Sequence, residues 1–416
     1  MHERPGLGVA DRTPKNDTKE AAVRKQWITG LVSAAVLSTS MVGLAGTSLA
    51  ATVAGAGTGS LYSWGTFSRM TTGSNTPQIV AGVPGTIVQI SGSDRDMYAL
   101  TSVGTVWAWG GEAHGALGNG TTGSGFENTP VQVQFPVGVS IASLPSPMPQ
   151  MTGMAIDTNR NVWGWGDGGD GDLCSTTTNS KVPNMISSPM LRGDVTLATG
   201  QNNHALYYTS TGRVYACGAN SSGQLGDGTF TSSVSPVRVI GLPREKVTSL
   251  QSAWEDSGAL MADGSYWDWG FNAAGQLGDG STLASDVPVH VSLPAAVDAV
   301  SQGGSVASNG QTVVILSDGS AYAWGSDRAG QLGIGFDQIS EPLPLLVAVP
   351  GGTTFVSVAS GGSSEYAIDS TGDVWAWGKN TEGQLGIGST EHQEFPVSVG
   401  IKASQIVSIA WDVAAF

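Results

Sequence analysis

The residue types that usually support metal or acid–base chemistry are few in this sequence and widely spaced. The histidines after residue 50 do not have the spacing of zinc ligands: His114, His204, His290 and His392. The sequence contains neither a phosphate-binding loop nor a nucleophile elbow. We therefore expect no catalytic residues, no bound metal and no cofactor.

One acidic run has the composition of a calcium loop. Carboxylates recur at Asp167, Asp170 and Asp172 between glycines, and hard cations prefer clustered oxygen ligands. The run lacks the downstream Glu of an EF-hand, and it aligns with an ordinary turn in the other copies of a repeat described below. We interpret it as a turn, with a calcium site as the alternative.

The overall composition favours an all-β protein with many turns. Of the 416 residues, 60 are Gly and 13 are Trp, while only 12% are charged. A hydrophobic fraction of 40% excludes a wholly disordered chain, and Gly without a three-residue period excludes collagen. The formal net charge of −15 argues against a nucleic-acid partner, because phosphate binding needs a Lys/Arg surface.

The first 50 residues have the features of a secretory signal peptide. Basic residues between Lys19 and Lys25 precede a mostly apolar stretch over residues 27–45, and Ser48-Leu49-Ala50 supplies small residues at a cleavage site. We expect residues 1–50 to be removed and residues 51–416 to form a secreted or cell-surface domain with no membrane span. The alternative is an uncleaved anchor, because about 20 residues can just span a bilayer.

Internal repetition is the strongest pattern in the sequence. The segment Val214–Gly228 contains Gly-Gln-Leu-Gly and recurs at 266–280, 321–335 and 374–388, with looser copies from Val106 and Val162. A first copy from Leu61 keeps only Trp-Gly. The anchor residues lie 45 to 56 residues apart: Trp64, Trp109, Trp165, Cys217, Trp269, Trp324 and Trp377. Counting gives seven units of about 52 residues.

Each unit carries strand and turn signals at fixed offsets. Two apolar runs surround an Asp-Gly turn before the Trp-Gly, as in Val313–Gly325, and predict a hairpin. After a polar loop, Pro with alternating apolar residues, as in residues 236–240, predicts another strand. Three or four short strands per unit predict an all-β, seven-bladed β-propeller with the repeated Trp and Leu residues packed between blades.

The two chain ends are expected to share one blade. The last unit ends with Ile406–Trp411, where a new blade would open, and residues 51–55 fall where other units have their next strand. We therefore predict a ring closed by pairing of the N- and C-terminal strands, with residues 51–55 near residues 406–412. Closure removes the free sheet edges that would otherwise pair with other chains.

The repeat Val-Trp-Ala-Trp-Gly, Gly-Gln-Leu-Gly and Pro-Val, which runs through residues 51–416, resembles that of the regulator of chromosome condensation family. The resemblance implies a seven-bladed propeller in which one loop position often holds His. Here that position holds Asp96, Thr152, His204, Asp256, Gln311 and Ser364. Because only His204 keeps the family residue, nucleotide exchange on a small GTPase is the less favoured function.

A rim of loops at equivalent offsets is the predicted partner-binding site. Aromatic residues beside carboxylates are typical of protein interfaces, where aromatics anchor and charges give specificity. The predicted residues are Asp94, Arg95, Asp96, Tyr98, His204, Trp254, Glu255, Asp256, Glu365, Tyr366 and Trp411. Alternatively these aromatics cap the blade edges, and the binding face is the opposite one, built from the loops after Gly-Gln-Leu-Gly.

These observations favour an extracellular, monomeric propeller that binds a protein, and its acidic rim favours a basic partner. The chain also resembles secreted bacterial β-lactamase-inhibitor propellers, which implies an inhibitor-like use of such a rim. The alternative is an exported carbohydrate-active or other hydrolytic enzyme. That function requires paired carboxylates facing each other across the central opening.

The two cysteines both break the repeat, in neighbouring units. Cys217 replaces the anchor Trp of the fourth unit, and Cys174 replaces the final Gly of Gly-Gln-Leu-Gly in the third. The favoured interpretation is that Cys217 is a small core residue with a free thiol. The alternative, suggested by the paired replacement, is a disulfide, which an exported protein permits.

Overall fold

The fold is all-β, with seven four-stranded antiparallel sheets arranged as the blades of a propeller. The computed structural model describes residues 60–65, 74–93, 95–169, 171–175, 179–304, 310–336, 338–409 and 412–416. The predicted seven-bladed propeller is confirmed. The predicted signal peptide and residues 51–55 lie outside the described residues. Within the described ranges no helix is long and apolar enough to cross a membrane.

Each blade is a meander whose first strand is innermost and whose fourth is outermost. Blade 1 contains β3 (Ile87–Gly92), β4 (Asp96–Thr101), β5 (Val106–Gly111) and β6 (Phe126–Gln132). Blade 2 contains β7 (Ile141–Ser143), β8 (Thr152–Asp157), β9 (Val162–Gly166) and β10 (Ser180–Met185). Blade 3 contains β11 (Val195–Gln201), β12 (His204–Thr209), β13 (Val214–Gly218) and β14 (Ser233–Arg238).

The remaining blades follow the same order, and blade 7 takes strands from both chain ends. Blade 4 contains β15 (Val247–Ser252), β16 (Asp256–Met261), β17 (Tyr266–Gly270) and β18 (Ser285–His290). Blade 5 contains β19 (Val297–Gly303), β20 (Gln311–Leu316), β21 (Ala321–Ser326) and β22 (Ser340–Leu346). Blade 6 contains β23 (Phe355–Ser360), β24 (Ser364–Asp369), β25 (Asp373–Gly378) and β26 (Gln393–Lys402). Blade 7 contains β27 (Ile406–Ile409), β28 (Asp412–Ala415), β1 (Tyr62–Gly65) and β2 (Ser74–Ile79).

The ring is closed by the pairing of strands from the two chain ends. Strand β1 pairs antiparallel with β28, with Trp64 opposite Val413 and Tyr62 opposite Ala415. The N-terminal segment that closes the ring is therefore residues 62–65, and it pairs with residues 412–415. Each chain end supplies two strands of the blade, so neither end forms a complete sheet alone.

Neighbouring blades are joined by the repeated Trp and the loop that carries Gly-Gln-Leu-Gly. In five blades the buried indole donates its Nε1–H to a backbone carbonyl of the preceding blade, in four cases that of the loop Gln. The distances are 2.7–3.0 Å, from Trp64 to Gln384, Trp165 to Ala116, Trp269 to Gln224, Trp324 to Gln276 and Trp377 to Gln331. Burial of a large ring and satisfaction of its one donor therefore occur at the same contact.

The final Gly of Gly-Gln-Leu-Gly is required by this contact. Gly278 has a φ of +65°, and a Cβ atom there would lie 2.7 Å from Trp324 Nε1. Gly226, Gly333 and Gly386 face the next blade's Trp in the same way. A side chain at these positions would be strained by the backbone and would displace the indole.

The interface between blades 2 and 3 replaces the Trp contact with a disulfide. Cys174 and Cys217 are bonded, with their Cα atoms 5.3 Å apart. Cys174 occupies the Gly position with a φ of +49°, and Cys217 occupies the Trp position. Because the indole is missing, there is room for the Cβ of Cys174. The two replacements thus compensate each other.

The loops divide between two rims. The upper rim consists of the turns between the first and second strands and the loops between the third and fourth strands. The lower rim consists of the turns between the second and third strands and the connections between blades. The loops after Gly-Gln-Leu-Gly therefore lie on the same rim as the predicted site, and the expectation that they form the opposite face is wrong. Ser222, which directly precedes this motif in the upper-rim loop of blade 3, donates from Oγ to Glu255 Oε2, at 2.8 Å.

A matched pair of glycine variants tests the Trp contact. Gly278→Ala should reduce the free energy of unfolding by about 1–3 kcal/mol more than Gly212→Ala, because only the first creates a clash with an indole. Gly212 is the control, since its φ is also positive, +79°, with nothing within 4 Å of the added Cβ. Urea denaturation of both variants measures the difference, and equal losses would contradict the contact.

Reduction tests the replacement of a Trp contact by a disulfide. The bridge spans 43 residues of sequence, and closing a loop of that size contributes about 3–4 kcal/mol. A reducing agent should therefore lower the melting temperature of the wild-type protein. The double variant Cys174→Gly/Cys217→Trp restores the repeat, and its melting temperature should not respond to the reducing agent. Two free thiols in unreduced, unfolded wild-type protein would contradict the bond.

Candidate functional site

A central channel of about 370 Å³ runs between the blades and opens on the upper rim beside Trp254. Residues of all seven blades line it, mainly from the first strands and mostly with amide, hydroxyl and aliphatic side chains. Trp254 is half-buried and lies in the turn between β15 and β16. The channel mouth therefore combines a partly exposed aromatic side chain with polar neighbours such as Gln150 and Asn202.

Two glutamines of the channel wall join neighbouring blades. The Gln89 side chain accepts from the Leu144 amide at 2.8 Å and donates to the Leu144 carbonyl at 2.7 Å. Gln405 makes the same pair of bonds to the Ile90 backbone, at 3.0 and 3.2 Å. These side-chain amides bond like a strand edge, so they serve the ring and are not available to a ligand.

The segment of residues 144–151 replaces a short upper-rim turn in blade 2 and joins its neighbours. The Met148 amide donates to the Gly92 carbonyl of blade 1 at 2.9 Å, and the Gly200 amide of blade 3 donates to the Pro147 carbonyl at 3.0 Å. The sequence interpretation missed this segment. Its prolines and the longer interval between Trp109 and Trp165 were the available signals.

Three predicted site residues are accessible on the upper rim: Arg95, Trp254 and Glu255 are all half-buried. Glu255 also accepts a bond from Ser222 of the adjacent blade, which holds its carboxylate in place. Asp94 and Trp411, which were predicted for the same rim, lie outside the described residues.

Tyr98 and Tyr366 are not exposed rim aromatics, which corrects the prediction. They are 0% and 1% exposed, and each hydroxyl donates at 2.8 Å to a loop carbonyl, of Ala116 and Gln384 respectively. These carbonyls also accept from the next blade's Trp. The position of Tyr98 in strand β4 explains its burial. Side chains alternate between the two faces of a strand, and both faces of β4 are buried because the whole strand lies between neighbouring sheets.

His204 is buried between blades and does not face a partner. Its Nε2 atom lies 2.9 Å from Ser257 Oγ and 3.1 Å from Ser252 Oγ, both in blade 4. Burial lowers the pKa of His204 to about 4, so the ring is neutral near pH 7. The one position that keeps the family residue therefore stabilises the ring from inside.

Asp96 and Glu365 are also fully buried at the upper ends of second strands. Glu365 accepts from Gln311 Nε2 at 2.8 Å and from the Ser360 hydroxyl. Its burial raises the pKa of the carboxyl well above the usual range. The prediction that Asp96 and Glu365 contact a partner is therefore wrong, because both are polar groups in the interior of the ring.

The most unusual polar group lies between blades 4 and 5. Asp268 stands where the other blades have Ala, Gly or Ser, and both of its oxygens accept from Gln302 Nε2 at 2.9 Å. Asp256 lies near it, 1% exposed. Burial raises the pKa of Asp256 to about 8. Burial also raises the pKa of Asp268 well above its usual range, and the nearby charge of Asp256 adds to this effect.

The described carboxylates do not form a pair across the channel. Asp256 and Glu365 are buried in the interfaces between blades, so they do not provide the geometry that glycoside hydrolysis needs. In the acidic run, Asp167 pairs with His114 Nδ1 at 2.7 Å and Asp172 is 4% exposed, while Asp170 lies outside the described residues. Among the residues described, no group of three or more His, Cys, Asp or Glu could hold a metal ion.

Family models and relatives match this chain along most of its length. The model described as the regulator of chromosome condensation (RCC1) repeat matches residues 103–144, 211–260, 263–307, 318–368 and 371–411, more than half of the chain. A second RCC1 repeat model matches residues 195–224 and 355–384.

Two curated relatives differ greatly in how much of their length is shared. The ultraviolet-B receptor UVR8 of Arabidopsis thaliana is 29% identical over 73% of this chain and 68% of its own length. The human E3 ubiquitin-protein ligase HERC2 is 28% identical over 83% of this chain. The chain spans only 7% of HERC2, so it matches a small part of that protein.

Solved structures share the fold at low sequence identity. Human WBSCR16 superposes with a TM-score of 0.73 at 19% identity, over 86% of this chain and 98% of that one. Prp20p of Saccharomyces cerevisiae, described with its binding to Gsp1p and histones, has a TM-score of 0.72 at 20% identity, over 86% and 90%. A complex of Kap60 with yeast RCC1 (Prp20) has a TM-score of 0.74 at 19% identity, over 93% and 95%.

The buried carboxyl groups make stability depend on pH. Because the folded-state pKa of Asp256 exceeds the value of about 3.9 in an unfolded chain, its proton stabilises the fold, and this contribution falls as pH rises through about 8. The free energy of unfolding should therefore decrease from about pH 7 to about pH 8.5, by about 1 kcal/mol per unit at most.

The variant Asp256→Asn should flatten this dependence, as measured by urea denaturation across the same range. The range excludes the opposite effect of His204, whose lowered pKa makes stability rise with pH only below about 6.5. An unchanged slope in Asp256→Asn would show that Asp256 does not hold the proton.

Proposed function

Because the chain belongs to the regulator of chromosome condensation repeat family, we propose that it is a protein-binding propeller whose partner contacts the upper rim at the mouth of the central channel. Trp254 carries the proposal. It is a large aromatic residue left half-buried at the channel mouth, whereas the Trp residues of the blade interfaces are 0–1% exposed. Partly exposed Trp residues are enriched at the energetic centres of interfaces.

The charge of the upper rim supports a basic partner. Acidic residues in its turns and loops are at least partly exposed: Glu112, Asp167, Asp227, Glu255, Asp279, Glu382 and Glu391. The Lys and Arg residues described on the same rim are fewer: Arg95, Arg328 and Lys379. Such a surface attracts a cationic partner and accelerates its association at low salt.

The compartment and mode of action are part of the proposal. We propose that the protein is secreted or at the cell surface, on the basis of the signal-peptide features of residues 1–50 and of a disulfide that an oxidising compartment would maintain. We also propose that it acts by binding, as a monomer, and not by catalysis. Prp20p is described as binding Gsp1p and histones, which supports protein binding as the general use of this fold.

Truncation of Trp254 tests the proposed interface. Trp254→Ala should weaken binding to a partner isolated from the extracellular medium by more than about tenfold, because a desolvated anchor contributes about 2 kcal/mol or more. Charge reversal at Glu255 should act mainly on the association rate and its salt dependence. Surface plasmon resonance at two salt concentrations measures both effects.

The matched control is Val103→Ala, which truncates an apolar residue 75% exposed on the lower rim. It should leave the affinity unchanged. If Trp254→Ala binds like the wild-type protein while Val103→Ala is impaired, the partner contacts the lower rim and the proposed site is wrong.

A further inference from the structure

The lower rim of blades 2 and 3 concentrates the positive charge of an otherwise acidic protein. Six of the eleven Lys and Arg residues that the structure describes lie in this sector, and all six are exposed: Arg160, Arg192, Arg213, Arg238, Arg244 and Lys246. We call this set the basic sector. The positive charge of this sector contrasts with the formal net charge of −15 for the whole chain.

Backbone bonds show that the segments of the basic sector are contiguous along the rim. The Val195 amide donates to the Arg160 carbonyl at 3.3 Å, which joins the turn of blade 2 to the first strand of blade 3. The Ser210 amide donates to the Asp194 carbonyl at 2.9 Å, next to the turn that carries Arg213. Arg238 pairs with Tyr215 at the end of β14, and the connection with Arg244 and Lys246 follows.

Among the described residues, none of the six cations forms an ion pair with a carboxylate. The ion pairs His114–Asp167 and Lys402–Asp373 both lie outside the basic sector. Of the acidic groups in the sector, Asp157 is buried and accepts from Trp163 Nε1 and two backbone amides, and Asp194 accepts from the Ser210 hydroxyl. Glu245 is exposed between Arg244 and Lys246. The sector therefore keeps an excess of unneutralised positive charge.

The rest of the lower rim is acidic, which limits the shape of a partner. Beyond the basic sector it carries Asp263, Asp298 and Asp318, all exposed, and Lys402 is paired with Asp373. A flat anionic membrane would meet these carboxylates together with the arginines. A narrow anionic segment that follows the arc of blades 2 and 3 would not.

Exposed apolar residues within the sector point to a protein. Met190 and Ile240 are 52% and 45% exposed, and they lie two residues from Arg192 and Arg238 respectively. Arg and Met are enriched at protein interfaces, and apolar contacts have no counterpart in a simple polyanion. We propose that the basic sector is a second interface, which binds an acidic polypeptide segment containing apolar residues, on the rim opposite the upper-rim site.

Binding of a labelled peptide with alternating Glu and Leu residues, measured by fluorescence anisotropy, tests this proposal. The wild-type protein should bind it at low salt, and the affinity should fall steeply as salt is added. The triple variant Arg192→Glu/Arg213→Glu/Arg244→Glu should weaken binding by at least about tenfold. These residues are exposed, so the melting temperature should change little.

Two control variants separate this interface from nonspecific charge and from the upper rim. Lys181→Glu/Arg328→Glu removes exposed cations outside the sector and should leave peptide binding nearly unchanged. Trp254→Ala should also leave it unchanged, so failure of the upper-rim site would not affect this result. The proposal is overturned by absence of peptide binding at low salt, by equal losses in the triple variant and the Lys181→Glu/Arg328→Glu variant, or by binding of anionic vesicles or heparin in preference to the peptide.

Discussion

The hydrogen bond from a blade's Trp to a carbonyl of the preceding blade, which five blades make, is the interaction on which the ring depends. It requires a buried indole, a loop that turns its carbonyl inward and a Gly without a Cβ beneath the ring, as at Trp324, Gln276 and Gly278. Because the three requirements lie in two different blades, each repeat is complete only when its neighbour is present.

The architecture could be predicted because the repeated residues are those that make this contact. Trp, Gly and Leu recur at fixed offsets, and their period gives the number of blades directly. The two cysteines follow the same rule: loss of the indole at Cys217 permits a side chain at Cys174, so a departure from the repeat in one blade is matched by a departure in its neighbour.

The candidate site was predicted less well, for a physical reason. Sequence offsets identify which residues lie at the upper ends of the second strands, but all described residues of β4, β12, β16 and β24 are buried from both faces. Tyr98, His204, Asp256 and Glu365 therefore point into the blade interfaces, and only the turn residues Arg95, Trp254 and Glu255 remain accessible. The basic sector was missed because its residues are scattered over almost 90 positions of sequence and meet only in the folded ring.

The shared blade also orders the folding of the chain in time. Trp64 reaches its hydrogen-bond partner Gln384 across 320 residues, so a chain emerging from its N-terminus must hold the hairpin of β1 and β2 without β28 until nearly all of it has emerged. During that interval an unpaired strand edge and a large indole are accessible to other chains. Synthesis that stalls late would therefore release an aggregation-prone open ring, which is a natural substrate for chaperones and proteases.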